Sequence, residues 1–151
     1  MTGRLLGPGR YGLARLVEGD VIETARQVVD TAMIDAFAAL TGDRFEIHMD
    51  ADAARRHGFA DRVAHGLLVL SLIDGLKNQT PAQFDAIASL GWDWGFSAPV
   101  LAGDEIGARI TVTSLRPTSD GKRGIATLEF DVTNQRGETV QRGVNRLMVY
   151  A

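Results

Sequence analysis

GLLVLSLIDGLK, residues 66–77, is the stretch whose reading decides the fold. Its run LLVLSLI is apolar nearly all round, a pattern that suits a helix buried in a core rather than one lying on a surface. Periodicity alone leaves a buried strand as the competing reading. The apolar character persists to Leu76, which is long for a strand, so a helix over 66–77 is expected. A helix with apolar residues on every side needs other elements wrapped around it.

The chain beyond Pro81 supplies them. Trp92, Trp94 and Phe96 alternate with Asp93, Gly95 and Ser97. Ile106, Ala108, Ile110 and Val112 alternate with Gly107, Arg109, Thr111 and Thr113, and Ala126, Leu128, Phe130 and Val132 alternate with Thr127, Glu129, Asp131 and Thr133. Such period-two patterns give each strand one packed face and one outward face. Gly121 and Gly137 fall where turns should separate strands, the second within NQRGE, and residues 139–150 read as a final strand.

Upstream, residues 21–29 read as an opening strand of imperfect alternation. Thr31 is the expected N-cap of a helix on which Met33, Ile34, Phe37 and Leu40 share a face, and Gly42 ends it. A short helix follows from Asp50 to His57. Its acids come first and Arg55, Arg56 and His57 last, which complements the helix dipole. Residues 1–10, with three glycines and a proline, read as a loose lead-in to a single domain over 11–151. One strand and helices, then about four antiparallel strands curved around an apolar helix, make an α+β fold.

Composition narrows the function. The net charge of −3 gives no general reason to expect nucleic acid, although a local basic patch for a phosphorylated ligand is compatible with it. The absence of cysteine excludes disulfides, thiolate metal sites and a cysteine nucleophile. The opening MTGRLLGPGR does not read as a signal peptide, and the longest aliphatic stretch, Leu67–Leu70, is far short of the ~20 residues that span a bilayer. A cytoplasmic location without membrane contact is the expectation.

Two titratable residues stand close together in TGDRFEIHMD, residues 41–50: Asp43 and His48. On a helix they would lie about 140° apart, and on a strand they would face opposite ways. Only a loop brings the side chains together, and Gly42 is well placed to begin one. A carboxylate beside an imidazole can exchange protons near neutral pH. A capping aspartate and an incidental histidine remain the alternative on these residues alone. Gly66 opens the apolar helix, where amides lack internal partners and carry the positive dipole end. With no side chain it lets a ligand oxygen approach, as an oxyanion site requires; tight packing is the alternative. His65 reads as a helix cap or a core histidine, and His57 is explained by its own helix terminus. The three histidines lack metal-ligand spacing, and no metal is expected.

With these residues in view, the chain resembles the MaoC-like dehydratases, which include the (R)-specific enoyl-CoA hydratases. The family pattern is an aromatic residue, a small spacer, then S/T-G-D-x-N-P-[apolar]-H. Phe37, Leu40, Thr41, Gly42, Asp43, Ile47 and His48 stand in the matching places, and the small Ala54 also fits. The resemblance continues through GFADRVAHGLLVLSL (58–72), FSAPVLAGDEI (96–106) and NQRGE (134–138). It implies a hot-dog fold, assembled as a homodimer or a larger assembly of dimers, acting on CoA or acyl-carrier thioesters with no other cofactor. It implies that Asp43 and His48 hold a water and move protons in syn addition across a 2,3-double bond, with the Gly66 amide on the thioester carbonyl.

Departures from the pattern are specific. Arg44 follows the aspartate, and Phe45-Glu46 replaces Asn-Pro, which removes a fixed φ. Glu46 adds a second carboxylate near Asp43. Asp74 stands eight residues after Gly66, where some hydratases carry a serine that supports the dyad. Glu46, Asp74 and His65 are therefore candidates for site support. Trp92, Trp94 and Phe96 are candidates for an acyl pocket, with plain core packing as the alternative. Two other functions stay open: a hot-dog thioesterase, and a non-catalytic acyl-thioester-binding or partner subunit.

Overall fold

The computed structural model describes residues 3–151; Met1 and Thr2 of the lead-in lie outside the described residues. In chain order the elements are β1 (Gly9–Tyr11), β2 (Val21–Glu23), β3 (Gln27–Val28), α1 (Thr31–Thr41), α2 (Glu46–Met49), α3 (Ala51–Arg56), α4 (Gly66–Lys77), β4 (Ala82–Phe84), β5 (Ala86–Phe96), β6 (Glu105–Pro117), β7 (Arg123–Thr133) and β8 (Thr139–Tyr150). The decisive stretch is thus a helix, with the expected ends.

Four long strands follow and, with the short β2, form an antiparallel sheet in the order β2-β6-β7-β8-β5, while β3 pairs with a further part of β6. The inward residues are those the alternation marks: Ile106, Ile110, Ala126, Leu128, Phe130 and Val132 are all fully buried. They pack in one cluster with Leu68, Val69, Ile73 and Leu76 of α4. Register shifts between Val112 and Ser114, and at two places along β5, insert extra residues that bend the strands around the helix. Gly121 and Gly137 take left-handed φ of 69° and 77° in the hairpin turns. α4 is not enclosed on every side, however: Leu67 is 60% exposed, at the rim of the cavity described below.

Four local expectations change. Asp30, not Thr31, caps α1, its carboxylate accepting the Met33 N–H at 2.9 Å. The buried face of α1 is Ile34 and Ala38, while Leu40 is 83% exposed. The opening strand is broken into β2 and β3, in keeping with its imperfect alternation. Residues 3–10 are not a loose lead-in: Leu5 bridges to Val21, Leu6 is buried, and β1 pairs in parallel with β4. The buried Leu6 and Tyr11 dock this segment on the core, despite its glycines. Asp50 caps α3 as expected, accepting from the Asp52 N–H. No helix among the described residues is long and apolar enough to cross a membrane.

Candidate active site

A cavity of about 520 Å³ opens beside the N-terminus of α4, lined by Asp43, His48, His65, Gly66, Phe96 and Gln141 among others. Its first wall is built by the end of α1. Gly42 adopts φ 80°, which stops the helix and turns the chain toward α4. Asp43 follows at once, its N–H donating to Thr41 Oγ1 at 3.1 Å and its Oδ1 accepting from the Phe45 N–H at 3.2 Å. That local turn holds the carboxylate at the cavity edge. The segment is not all loop, because His48 rides on the single turn α2. Asp43 precedes that turn, so the 140° separation of a continuous helix does not apply.

His48 is held from several sides. Its Nδ1 lies 2.6 Å from the Val63 carbonyl, which can only accept, so Nδ1 carries the hydrogen and Nε2 keeps its lone pair. Its own carbonyl accepts from Arg62 Nε at 2.6 Å, and Arg62 also ion-pairs with Asp35 of α1. Burial pushes the His48 pKa below the ordinary value of 6.5. The Val63 carbonyl opposes that shift, His65 adds to it, Asp43 opposes it and Arg62 adds to it. A ring poised neutral with a free Nε2 is a proton acceptor near neutral pH.

His65, 2% exposed, stacks on His48 with ring centroids 3.9 Å apart and planes 28° apart. Its Nε2 donates to the Asp43 carbonyl at 2.8 Å, so its lone pair is on Nδ1, which is buried without a partner. Donor atoms of Asp43, His48 and His65 lie within 4.8 Å of one another. Three such groups invite a metal reading, but the stacking speaks against it. Imidazole binds a metal in its ring plane at about 2.0–2.1 Å. Two nearly parallel rings send their lone pairs side by side rather than to one point.

Gly66 is the first residue of α4, so its N–H has no partner inside the helix. Its lack of a side chain has a direct cause: a Cβ there would sit 2.3 Å from the Phe96 ring. Packing thus accounts for the glycine, whatever else its amide does. The Gly66 carbonyl accepts from Gln141 Nε2 at 3.1 Å, and Gln141 Oε1 accepts from Trp94 Nε1 at 2.8 Å. This chain of bonds ties the start of α4 to β8 and β5.

Other candidates lie elsewhere. Glu46 Oε1 pairs with His57 Nε2 at 2.7 Å, and Glu46 does not line the cavity. Asp74 pairs with the buried Lys77 at 2.9 Å further along α4, and it does not line the cavity. Trp92 and Trp94 pack edge-on against each other, and each lies with its centroid 5.4 Å from the Phe130 ring, Trp94 edge-on and Trp92 tilted. Of the three rings expected in an acyl pocket only Phe96 lines the cavity; Trp92 and Trp94 belong to the core. Arg62 and Gln141 were not singled out by sequence. Each has a charged neighbour, Asp61 and Arg142, so no local sequence signal marks either one.

A hot-dog domain, with a carboxylate, a neutral imidazole and a helix-terminal amide around one cavity, is the class that this fold and site define. The sequence pattern described as MaoC like domain matches residues 15–134, and the chain belongs to that family. It is 36% identical over 112 residues, 74% of this chain and 80% of the relative, to a protein of Aeromonas caviae named (R)-specific enoyl-CoA hydratase. It is 32% identical over 102 residues, 68% of this chain but 59% of the relative, to an Arabidopsis thaliana mitochondrial 3-hydroxyacyl-[acyl-carrier-protein] dehydratase. Among solved structures, a Mycobacterium tuberculosis protein described as a double hotdog fold superposes with a TM-score of 0.82 at 21% identity, covering 93% of this chain and 44% of that one.

Proposed function

We propose that this chain is a hydro-lyase that adds water to, or removes it from, the 2,3-double bond of an acyl thioester. The observation that carries this reading is the meeting of Asp43 and His48 donor atoms within 4.8 Å at a cavity that also holds the N-terminus of α4. In hydration, His48 Nε2 takes a proton as the water oxygen bonds to C3, Asp43 helps hold that water, and the dyad returns a proton to C2. Negative charge developing on the thioester oxygen is met by the Gly66 N–H at the positive end of the α4 dipole. The thioester bond stays intact. The acyl carrier, CoA or an acyl-carrier protein, comes with the substrate, and no resident cofactor or metal takes part. Named relatives in the family are hydratases and dehydratases, which supports the class. A cytoplasmic location belongs to the same reading.

Incubation with crotonyl-CoA, following enoyl absorbance and free thiol together, tests it. Loss of absorbance without thiol is expected. Thiol release would make the protein a thioesterase, and neither signal would leave a binding or partner subunit.

The pH profile follows from His48. Neutral His48 is the base, and burial holds its pKa below 6.5, so the acid limb of kcat/KM should reflect that lowered value. The limb should fall away with a midpoint below 6.5; a midpoint above it contradicts this role. Stability has the matching sign. Between the folded and unfolded pKa values the unfolded chain binds more protons, so stability declines as pH drops from 6.5 through the folded value, then levels off.

A homodimer is also expected. β5 ends the sheet with one edge unpaired, and Ile87 and Leu90 on it are exposed. Such an edge calls for pairing or protection. Light scattering at micromolar concentration should give the mass of two chains or a multiple of two, and a monomer alone would count against pairing.

A further inference from the structure

His65 has no role in the chemistry proposed above, yet it is almost fully buried. It directly precedes α4, but its side chain makes no capping bond to the helix amides. Its Nδ1 is sealed from solvent without a partner. An orphaned buried acceptor is destabilising, so bulk alone is a poor reason for a histidine here; a phenylalanine would fill the space without that cost. What the ring touches gives a better reason. Nε2–H holds the Asp43 carbonyl, one face lies on His48, Phe37 packs at 4.9 Å, and the next residue in the chain is Gly66.

Resting on the dyad reading, we infer that His65 is a positioning residue that holds the Asp43 turn, the His48 ring and the Gly66 amide in one frame. The hydrogen bond to Asp43 fixes where the carboxylate turn stands relative to the start of α4. The stacked ring fixes the plane of His48, so that Nε2 points at one place. The charged groups facing His48 are Asp43, which favours its protonated form, and Arg62, which disfavours it.

The test uses His65→Ala, which loses both contacts, His65→Phe, which keeps the ring, and His65→Gln, which keeps an N–H donor. Folding is checked by circular dichroism. With crotonyl-CoA, His65→Ala is expected to lose about 10²-fold in kcat, the scale of a small misplacement of reacting groups, with KM changed by less than about threefold. His65→Phe and His65→Gln should each recover part of that loss. If His65→Ala does not fold, the comparison of these two with wild type carries the same expectation of a fall in kcat without KM. Ring NMR signals of His48 should be single and sharp in wild type and averaged in His65→Ala. Wild-type kcat in the variants, or a loss confined to stability and KM with unchanged His48 signals, overturns the inference. The two readings fail separately. An active His48→Ala would sink the dyad, whereas the His48 ring signals still report whether His65 holds that ring.

Discussion

Asp43→Asn and His48→Ala are each expected to cut turnover of a good enoyl thioester by at least about 10²-fold. Groups that move protons in a transition state typically contribute ~10²–10⁴-fold. Asp43→Asn keeps the shape, and with it the bond from the Phe45 N–H, but removes the carboxylate. His48→Ala removes the one ring nitrogen left free to accept, since the other is committed to Val63. Binding should weaken much less, because groups that move protons act mainly in the transition state. The double variant should be hardly worse than the worse single one, as residues acting as a unit are non-additive. Glu46→Gln is the control. Its carboxylate is taken up by His57 outside the cavity, so only a mild effect is expected. Steady-state kinetics on folded variants decide it, and near wild-type hydration by both dyad variants would refute the mechanism.

Gly66→Ala is expected to have the next largest effect, for a steric reason. The new methyl would stand 2.3 Å from the Phe96 ring. Phe96 is 59% exposed and can swing, but it lines the cavity, so its movement reshapes the site proposed for the thioester. Because Phe96 can swing, the stability cost should stay below that of overpacking a closed core. A carbonyl held away from its amide donor loses on the order of 10²-fold in kcat. Alanine keeps its own N–H, so removing the clash should restore the donor. The pair Gly66→Ala with Phe96→Ala is therefore expected to recover most of the lost activity. A double variant as poor as Gly66→Ala alone would mean that the ligand itself needs the space.

How legible this protein is depends on the range of the interaction. The helix at 66–77 and the strands at 105–133 follow from patterns that repeat over ten residues or more, and their buried residues are the ones the alternation marks. α2 is a single turn, too short for any period to show, and it was hidden inside a segment read as loop. Trp92, Trp94 and Phe96 do share a side of β5. Sequence shows that three rings face one way, but not that Phe130 meets two of them while the third reaches a cavity. Glu46 and Asp74 illustrate the same limit, since His57 and Lys77 had already claimed their carboxylates. The supports of the site were the least visible part. Arg62 and Gln141 act on the backbone carbonyls of His48 and Gly66, and no residue pattern records which side chain will reach a given carbonyl.

The central claim, that Asp43 and His48 add water across the double bond while the thioester stays whole, is tested most directly in deuterium oxide. Crotonyl-CoA is incubated with the wild-type protein and with His48→Ala, and the products are analysed by mass spectrometry and NMR. The expected product from wild type is intact 3-hydroxybutyryl-CoA with one deuteron at C2, placed syn to the new C3 oxygen, and His48→Ala should form it at least about 10²-fold more slowly. Free CoA with unhydrated crotonate, unchanged crotonyl-CoA, or equal product from both proteins would contradict the account.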